Sequence, residues 1–190
     1  VTARPETVDC GTDAHPRDVT VEKLGAMKTI FKADGSVTAG NASGINDGAA
    51  ALTLVAESAV SKLGGTPLAR IVAYGHAGVE PDEMGIGPVP AVKIALAKAG
   101  LKAADLDVVE SNEAFAARAC HVSRERDLDP AIVTPNGGAI ALGHPVGATG
   151  AILATKAIYE LQRTGGRYGL LTMCIGGGQG IAIIIENLQG

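Results

Sequence analysis

Tryptophan is missing from this chain, and three tyrosines and two phenylalanines are all the aromatic side chains it has. A core without large rings must be filled by Ala, Val, Ile and Leu, which suits tightly packed α/β layers better than an aromatic-rich β-sandwich. Cysteine is scarce too. Cys10, Cys120 and Cys174 are odd in number and show no CxxC spacing, which favours free thiols in a reducing compartment over a disulfide framework or a zinc site. We therefore expect a cytoplasmic protein with no metal site. Runs of lysine and arginine are lacking, and the net charge of -4 argues against a nucleic-acid surface. No apolar stretch approaches the ~20 residues that a membrane helix requires, so no membrane partner is expected. No GxGxxG follows a first strand to open a helix, and no Walker A sequence occurs, so nicotinamide and nucleotide-triphosphate chemistry are set aside. The first residue is Val1 rather than methionine, without a signal-peptide pattern, and a fragment or processed product is expected.

Glycine, by contrast, makes up 26 of the 190 residues. It concentrates in NGGAIALGHPVGATG at residues 136–150 and TMCIGGGQG at residues 172–180. Glycine tolerates dihedrals that other residues avoid and has no side chain to keep a ligand away, so these segments present amides beside His144 and Cys174. Such a backbone suits chemistry on a carbonyl.

Around these segments the pattern alternates between apolar runs and helical spacing. Val21, Leu24, Met27 and Ile30 predict a short amphipathic helix within residues 19–31, and the glycine-rich stretch 32–48 a structured loop. From there AAALTLVA (49–56) reads as a buried strand, ESAVSKLG (57–64) as a helix, LARIVAYGHA (68–77) as a strand and PAVKIALAKAG (90–100) as a helix. LDVVE (106–110) is a third strand, AFAARACHVSRER (114–126) and residues 147–165 are helices, and RYGLLTMC (167–174) and GIAIIIE (180–186) are strands. The expected fold is an α/β layered domain with a mixed five-stranded sheet covered by helices. Its first three strands should be parallel and its last two an antiparallel hairpin. A domain boundary is expected near Gly44, with residues 1–44 and 45–190 on its two sides.

His144, in Gly143-His144-Pro145, has an accessible ring. A neutral imidazole there can donate a hydrogen bond to a carbonyl oxygen that gains negative charge, although a structural turn histidine fits the same pattern. Cys174 closes a strand before three glycines, placed to act as base, acid or nucleophile; a buried structural cysteine is the plainer alternative. Asn112 stands between the third strand and the next helix. It reads either as a helix N-cap or as an amide orienting a water or a ring nitrogen at the carboxyl end of a parallel strand. His15, His76 and His121 lack comparable surroundings.

Four blocks, GNASGINDGAA from Gly40, NEAFA from Asn112, NGGAIALGHPVGATGA from Asn136 and CIGGGQG from Cys174, stand in the order and spacing of the thiolases. Over residues 15–188 the sequence resembles this family of acetyl-CoA acetyltransferases and 3-ketoacyl-CoA thiolases. Members carry two halves of one βαβαβαββ topology, and this chain is similar to the carboxyl-terminal half plus the end of the lid region. The resemblance implies a transferase of fatty-acid metabolism that condenses two acetyl-CoA molecules or cleaves 3-ketoacyl-CoA. A coenzyme A thioester is then the substrate, and no cofactor is permanently bound. It implies that Cys174 is the acid/base residue, while His144 and a water held by Asn112 form the oxyanion hole for the enolate. The Gly176 amide would stabilise the other oxyanion, on the acyl-cysteine. Ser43 would contact pantetheine, with Met84, Ala114 and Phe115 along the acyl and pantetheine path, and Phe31 and Arg17 would meet the CoA nucleotide. The block that carries the acyl-accepting cysteine is not found, so an amino-terminal thiolase half, on the same or a separate chain, is the implied partner in a homo-oligomer. A non-catalytic CoA-binding or assembly module with this fold is the alternative, and a small thioesterase with Cys174 as nucleophile is a third reading. Ser111 departs from the alanine or isoleucine that usually precedes NEAF.

Overall fold

The computed structural model describes residues 11–13 and 15–190; Cys10 and the rest of residues 1–10 lie outside them. A four-stranded mixed sheet forms the centre. Its strands are β1 (Ala69–Gly78), β2 (Val108–Ser111), β3 (Tyr168–Ile175) and β4 (Gln179–Asn187), in the order β1-β4-β3-β2. β3 and β4 form the expected antiparallel hairpin, β2 runs parallel to β3, and β1 runs antiparallel to β4. β1, β2 and β3 therefore share one direction.

Two helices explain why the strands read as continuous apolar runs. Ala91, Val92 and Ala95 of α3 (Pro88–Ala99) pack with Val109, Leu170 and Ile184 on one face. Leu153, Ala157 and Leu161 of α6 (Thr149–Thr164) pack with Val108, Leu171 and Ile185 on the other. Successive strand residues point to opposite faces, so a strand covered on both sides needs apolar residues at every position. With so few aromatic rings, the layers close by bringing backbones together. At Gly75 of β1, an added Cβ would collide with Ala91 O and lie 2.8 Å from Ala95 N of α3. The shorter helices are α1 (Val21–Gly25), α2 (Glu57–Leu63), α4 (Ala116–Glu125) and α5 (Ala139–Leu142). No helix among the described residues is long and apolar enough to cross a membrane.

Two sequence expectations fail. The fifth strand, at 49–56, does not form: the segment belongs to no regular element and pairs with no strand, and Leu52, Leu54 and Val55 are 43%, 76% and 42% exposed. An apolar run specifies burial, not the partner that provides it, and this one lies off the sheet. The helix expected within 19–31 shrinks to α1, which buries no residue. It ends at Gly25, and the Leu24 and Met27 side chains lie over Gly40.

Gly75→Ala is expected to destabilise the fold by about 2 kcal/mol through overpacking of β1 on α3. Gly147→Ala, whose Cβ meets nothing within 4 Å, should change stability by less than about 0.5 kcal/mol. Urea denaturation of the two variants checks both.

Candidate active site

The parallel register of β2 on β3 places the first components. Ser111 pairs with Thr172, and Asn112 N donates to Thr172 O at 2.9 Å, so Asn112 stands just beyond the carboxyl end of β2. Cys174 lies two residues further along β3, half-buried and with a free thiol. Open α/β sheets gather their sites at this end. Asn112 does not cap the following helix, because Phe115 occupies the N-cap position of α4. Its buried side chain turns instead to His144, with Nδ2 3.3 Å from Nε2.

His144 is fixed from the backbone and from both ring nitrogens. Its N–H donates to Asn46 Oδ1 at 3.0 Å, and the preceding Gly143 has φ 105, with the Asn46 amide where a side chain would be. The ring Nδ1 lies 2.7 Å from Thr149 Oγ1, and that hydroxyl donates to Pro145 O at 2.9 Å. A hydroxyl has one proton. Since Thr149 spends it on Pro145, it accepts from Nδ1–H, which leaves a lone pair on Nε2 to accept from Asn112 Nδ2. With the hydroxyl and the amide so oriented the ring is neutral, and Nε2 accepts from Asn112. Burial, and secondarily the Arg118 cation, hold His144 below the usual histidine range.

The first glycine-rich loop is held from beneath. Glu113 Oε2 accepts from Ile140 N at 3.2 Å, and its carboxylate occupies the space where a side chain at Gly138 would stand. Lys156 of α6 donates to Gly137 O at 2.6 Å and to the buried Glu110 Oε2 at 2.8 Å. Burial pushes the Glu110 carboxyl up, against the pull of Lys156. Asn136 Nδ2 donates to Glu160 Oε2 at 2.8 Å, and Arg163 grips the same carboxylate at 2.8 and 2.6 Å. Those bonds, Arg163 first and Asn136 second, hold Glu160 down at about 2.

Residues 41–46 dock against the same end of the sheet. Ser43 N donates to Ala114 O at 3.0 Å, Ala42 bridges to Phe115, and Ile45 bridges to His144. Phe31 meets Phe115 edge-on with ring centroids 6.5 Å apart. Ser43, Ala114, Phe115 and Phe31 thus come together around the His144 loop. Met84 is half-buried in a 3-10 turn (Pro81–Ile86), and its neighbour Gly85 lies against the Arg118 side chain. Gly176 is exposed in the turn after Cys174. Arg17 stays outside this gathering: it is exposed and, among the described residues, donates locally to His15 O at 3.4 Å. His15 Nε2 lies 3.1 Å from Ile140 O, His76 meets Gln179 Oε1 at 3.0 Å, and His121 is exposed.

Sequence reasoning missed Thr149, Asn46 and Arg118. Nothing local marks Thr149 or Asn46, whose roles depend on where the His144 loop folds. Arg118 did carry a signal, as a lone charge inside the apolar run AFAARAC.

The fold and this geometry define a layered α/β protein with a histidine, amide and thiol site at the carboxyl ends of parallel strands. Residues 65–187 match the family model "Thiolase, C-terminal domain", and residues 2–58 match "Thiolase, N-terminal domain". The chain belongs to the thiolase family. It is 57% identical over 187 residues to beta-ketothiolase BktB of Cupriavidus necator, covering 97% of this chain and 48% of that protein. It is also 57% identical over 179 residues to the 3-oxoadipyl-CoA/3-oxo-5,6-dehydrosuberyl-CoA thiolase of Escherichia coli, covering 93% of this chain and 45% of that one. The crystal structure of Bacillus anthracis acetyl-CoA acetyltransferase superposes with a TM-score of 0.90 at 49% identity, over 99% of this chain and 48% of that structure. Human mitochondrial 3-ketoacyl-CoA thiolase in complex with CoA does so with a TM-score of 0.85 at 48% identity, over 92% of this chain and 45% of that structure. The chain spans about half the length of these relatives.

Glu160 provides a pH-dependent check on how the loop is anchored. Its carboxyl is lowered on folding from 4.5 to about 2, so its contribution is present above the unfolded value and is lost as pH falls through the folded one. Glu160→Gln should therefore cost about 1–3 kcal/mol at pH 7, less as pH falls from 4.5 towards 2, read by denaturant melts across that range.

Proposed function

We propose that this chain forms the proton-transfer and enolate-binding wall of an acyl-CoA acyltransferase, a thiolase. The observation that carries the reading is the Asn112 amide on His144 Nε2 at 3.3 Å, with Cys174 at the end of the adjoining strand. Cys174, as thiolate, takes a proton from the methyl group of acetyl-CoA, and negative charge moves onto the thioester oxygen. That oxygen accepts hydrogen bonds from His144 and from a water held by Asn112, whose buried Oδ1 has no partner among the described residues. In the thiolytic direction the same groups run in reverse.

His144 donates from Nε2 only after its proton leaves Nδ1. The Nδ1 proton passes to water and Nε2 takes one from water, so the ring ends neutral; the Thr149 hydroxyl then rotates to donate to Nδ1 instead of Pro145 O and holds that tautomer. A neutral donor suits a site where burial already disfavours the imidazolium.

The substrate is a coenzyme A thioester. Ser43, Ala114, Phe115 and Met84 line the pantetheine and acyl path, Phe31 and Arg17 contact the CoA nucleotide, and the Gly176 amide serves the oxyanion on the acyl-cysteine. The docking of Ser43 on Ala114 and of Phe31 on Phe115 supports this grouping. The acyl-accepting cysteine comes from an amino-terminal thiolase half, in a cytoplasmic homo-oligomer. The relatives' names, and the human structure in complex with CoA, support the substrate class. The exposed apolar segment 49–56 is consistent with a further body packing there.

Completed with an amino-terminal half, the protein should cleave acetoacetyl-CoA with free CoA. Cys174→Ser and His144→Gln should each lower kcat/KM by about 10²-fold or more, and Asn112→Ala by about 10-fold to 10²-fold. The chain by itself should form no stable acyl adduct with acetyl-CoA by intact mass. A stoichiometric adduct on Cys174 would instead make that thiol the nucleophile.

A further inference from the structure

The His144 turn has few means of holding itself. Gly143 has φ 105, a left-handed value that glycine tolerates and other residues avoid, and Pro145 has no N–H. Gly143 N donates to Ala139 O at 2.9 Å, closing α5, so of these three residues His144 has the one N–H left to anchor the turn. Its acceptor is Asn46 Oδ1 at 3.0 Å, 98 residues away in sequence. The Asn46 amide also fills the space beside Gly143, where an added Cβ would lie 2.7 Å from Oδ1. Ile45 bridges to His144, and Asn46 N donates to His144 O at 3.5 Å. Asn46 thus meets both the N–H and the C=O of His144.

The segment that carries Asn46 is itself anchored. Asn41 O accepts from Ala116 N at 2.8 Å and so serves the first amide of α4, which no side chain caps among the described residues. Ser43 N donates to Ala114 O at 3.0 Å. Asn41 Oδ1 accepts from Thr38 N at 2.8 Å, and its Nδ2 donates to Ser36 O at 2.7 Å. Beyond Asn46 the segment continues along the turn, with Gly48 so close to Pro145 that a Cβ would lie 2.7 Å from Cγ. Residues 41–48 therefore form a strap from the start of α4 to the His144 turn, joining the two loops whose side chains, Asn112 and His144, meet at 3.3 Å.

We propose that Asn46 is a positioning residue for the reaction: its grip on the His144 backbone sets where the imidazole stands relative to Asn112 and to the thioester oxygen. This rests on reading His144 as a donor to that oxygen and names what holds the donor in place. The ring is held at its edges by Thr149 Oγ1 at 2.7 Å and Asn112 Nδ2 at 3.3 Å, but the glycine before it gives the backbone freedom to leave. A developing charge is stabilised most by a donor fixed in advance, and a displacement of about 1 Å costs up to about 10²-fold in rate.

The test has a spectroscopic and a kinetic arm. His15 and His76 each present Nε2 to an oxygen, Ile140 O and Gln179 Oε1, and so carry their proton there, whereas His144 carries it on Nδ1. Nitrogen–proton correlation NMR of the chain at about pH 8.5, where imidazoles are neutral, should show a ring held as Nδ1–H, assigned by its loss in His144→Gln. Asn46→Leu, similar in size but without an acceptor, should lose that signature to the mixed tautomers of a released ring, and Asn46→Asp, which keeps the acceptor, should retain it. In the protein completed with an amino-terminal half, Asn46→Leu should lower kcat for acetoacetyl-CoA cleavage by about 10-fold or more with KM for CoA within about two-fold. Asn46→Asp should stay within about five-fold of wild type. Asn46→Ala keeps the test decisive if Leu prevents folding. A folded Asn46→Leu or Asn46→Ala that retains the Nδ1–H signature overturns the proposal, and so does an undiminished kcat. Equal losses in Asn46→Leu and Asn46→Asp also overturn it, since the acceptor would then not be what matters. Failure of the acyl-transfer reading would appear as absence of turnover in the completed wild-type protein and leave the tautomer arm unmoved.

Discussion

Everything at the site depends on the parallel pairing of β2 with β3. β2 is four residues long and buried throughout, with Val108 facing α6 and Val109 facing α3. Its outer edge is closed by residues 132–134: Val109 N donates to Ile132 O at 2.9 Å, and Thr134 N donates to Val109 O at 2.7 Å. So short a strand between two ladders has one available register. Slipping it by one residue would send Val108 and Val109 to the wrong faces and carry Asn112 away from Thr172. The register fixes Asn112, Asn112 meets His144, and the glycine-rich loop is then anchored from α6 through Lys156, Glu160 and Thr149.

The charge arrangement follows from that assembly. Glu110 and Lys156 form a buried pair under the loop, and Glu160 with Arg163 forms a second pair that fixes Asn136. These pairs keep their charges to themselves. The groups at the site are neutral or unpaired among the described residues: a neutral imidazole, an amide with a free oxygen and a free thiol, with one enclosed guanidinium behind them. An electrostatically prepared site keeps such groups fixed before substrate arrives, so that little reorganisation accompanies the chemistry.

Most of the fold is legible in the sequence because its strands and helices have the right periods. LDVVE, RYGLLTMC and GIAIIIE read as strands for the reason they are strands, being buried on both faces. The segment 49–56 misleads by the same logic, since its apolar run is exposed among the described residues. In the site, the glycines that flank His144 and Cys174 are visible because close approach of backbone demands them. The groups that tune His144 are not. Thr149 acts through its hydroxyl proton, Asn46 reaches across from a loop far away in sequence, and Arg118 is shut off from solvent where a separate turn, at Gly85, lies against it. Each depends on where separate segments meet, which no local pattern records.

The most direct test of the proton-transfer role is exchange of the acetyl-CoA methyl hydrogens with deuterium from solvent, followed by NMR in the protein completed with an amino-terminal half whose nucleophilic cysteine is blocked. The expected result is exchange that survives the block, disappears in Cys174→Ala and falls sharply in His144→Gln. Undiminished exchange in Cys174→Ala would show that another group moves the proton, and would contradict the assignment of this wall as the acid/base half of the site.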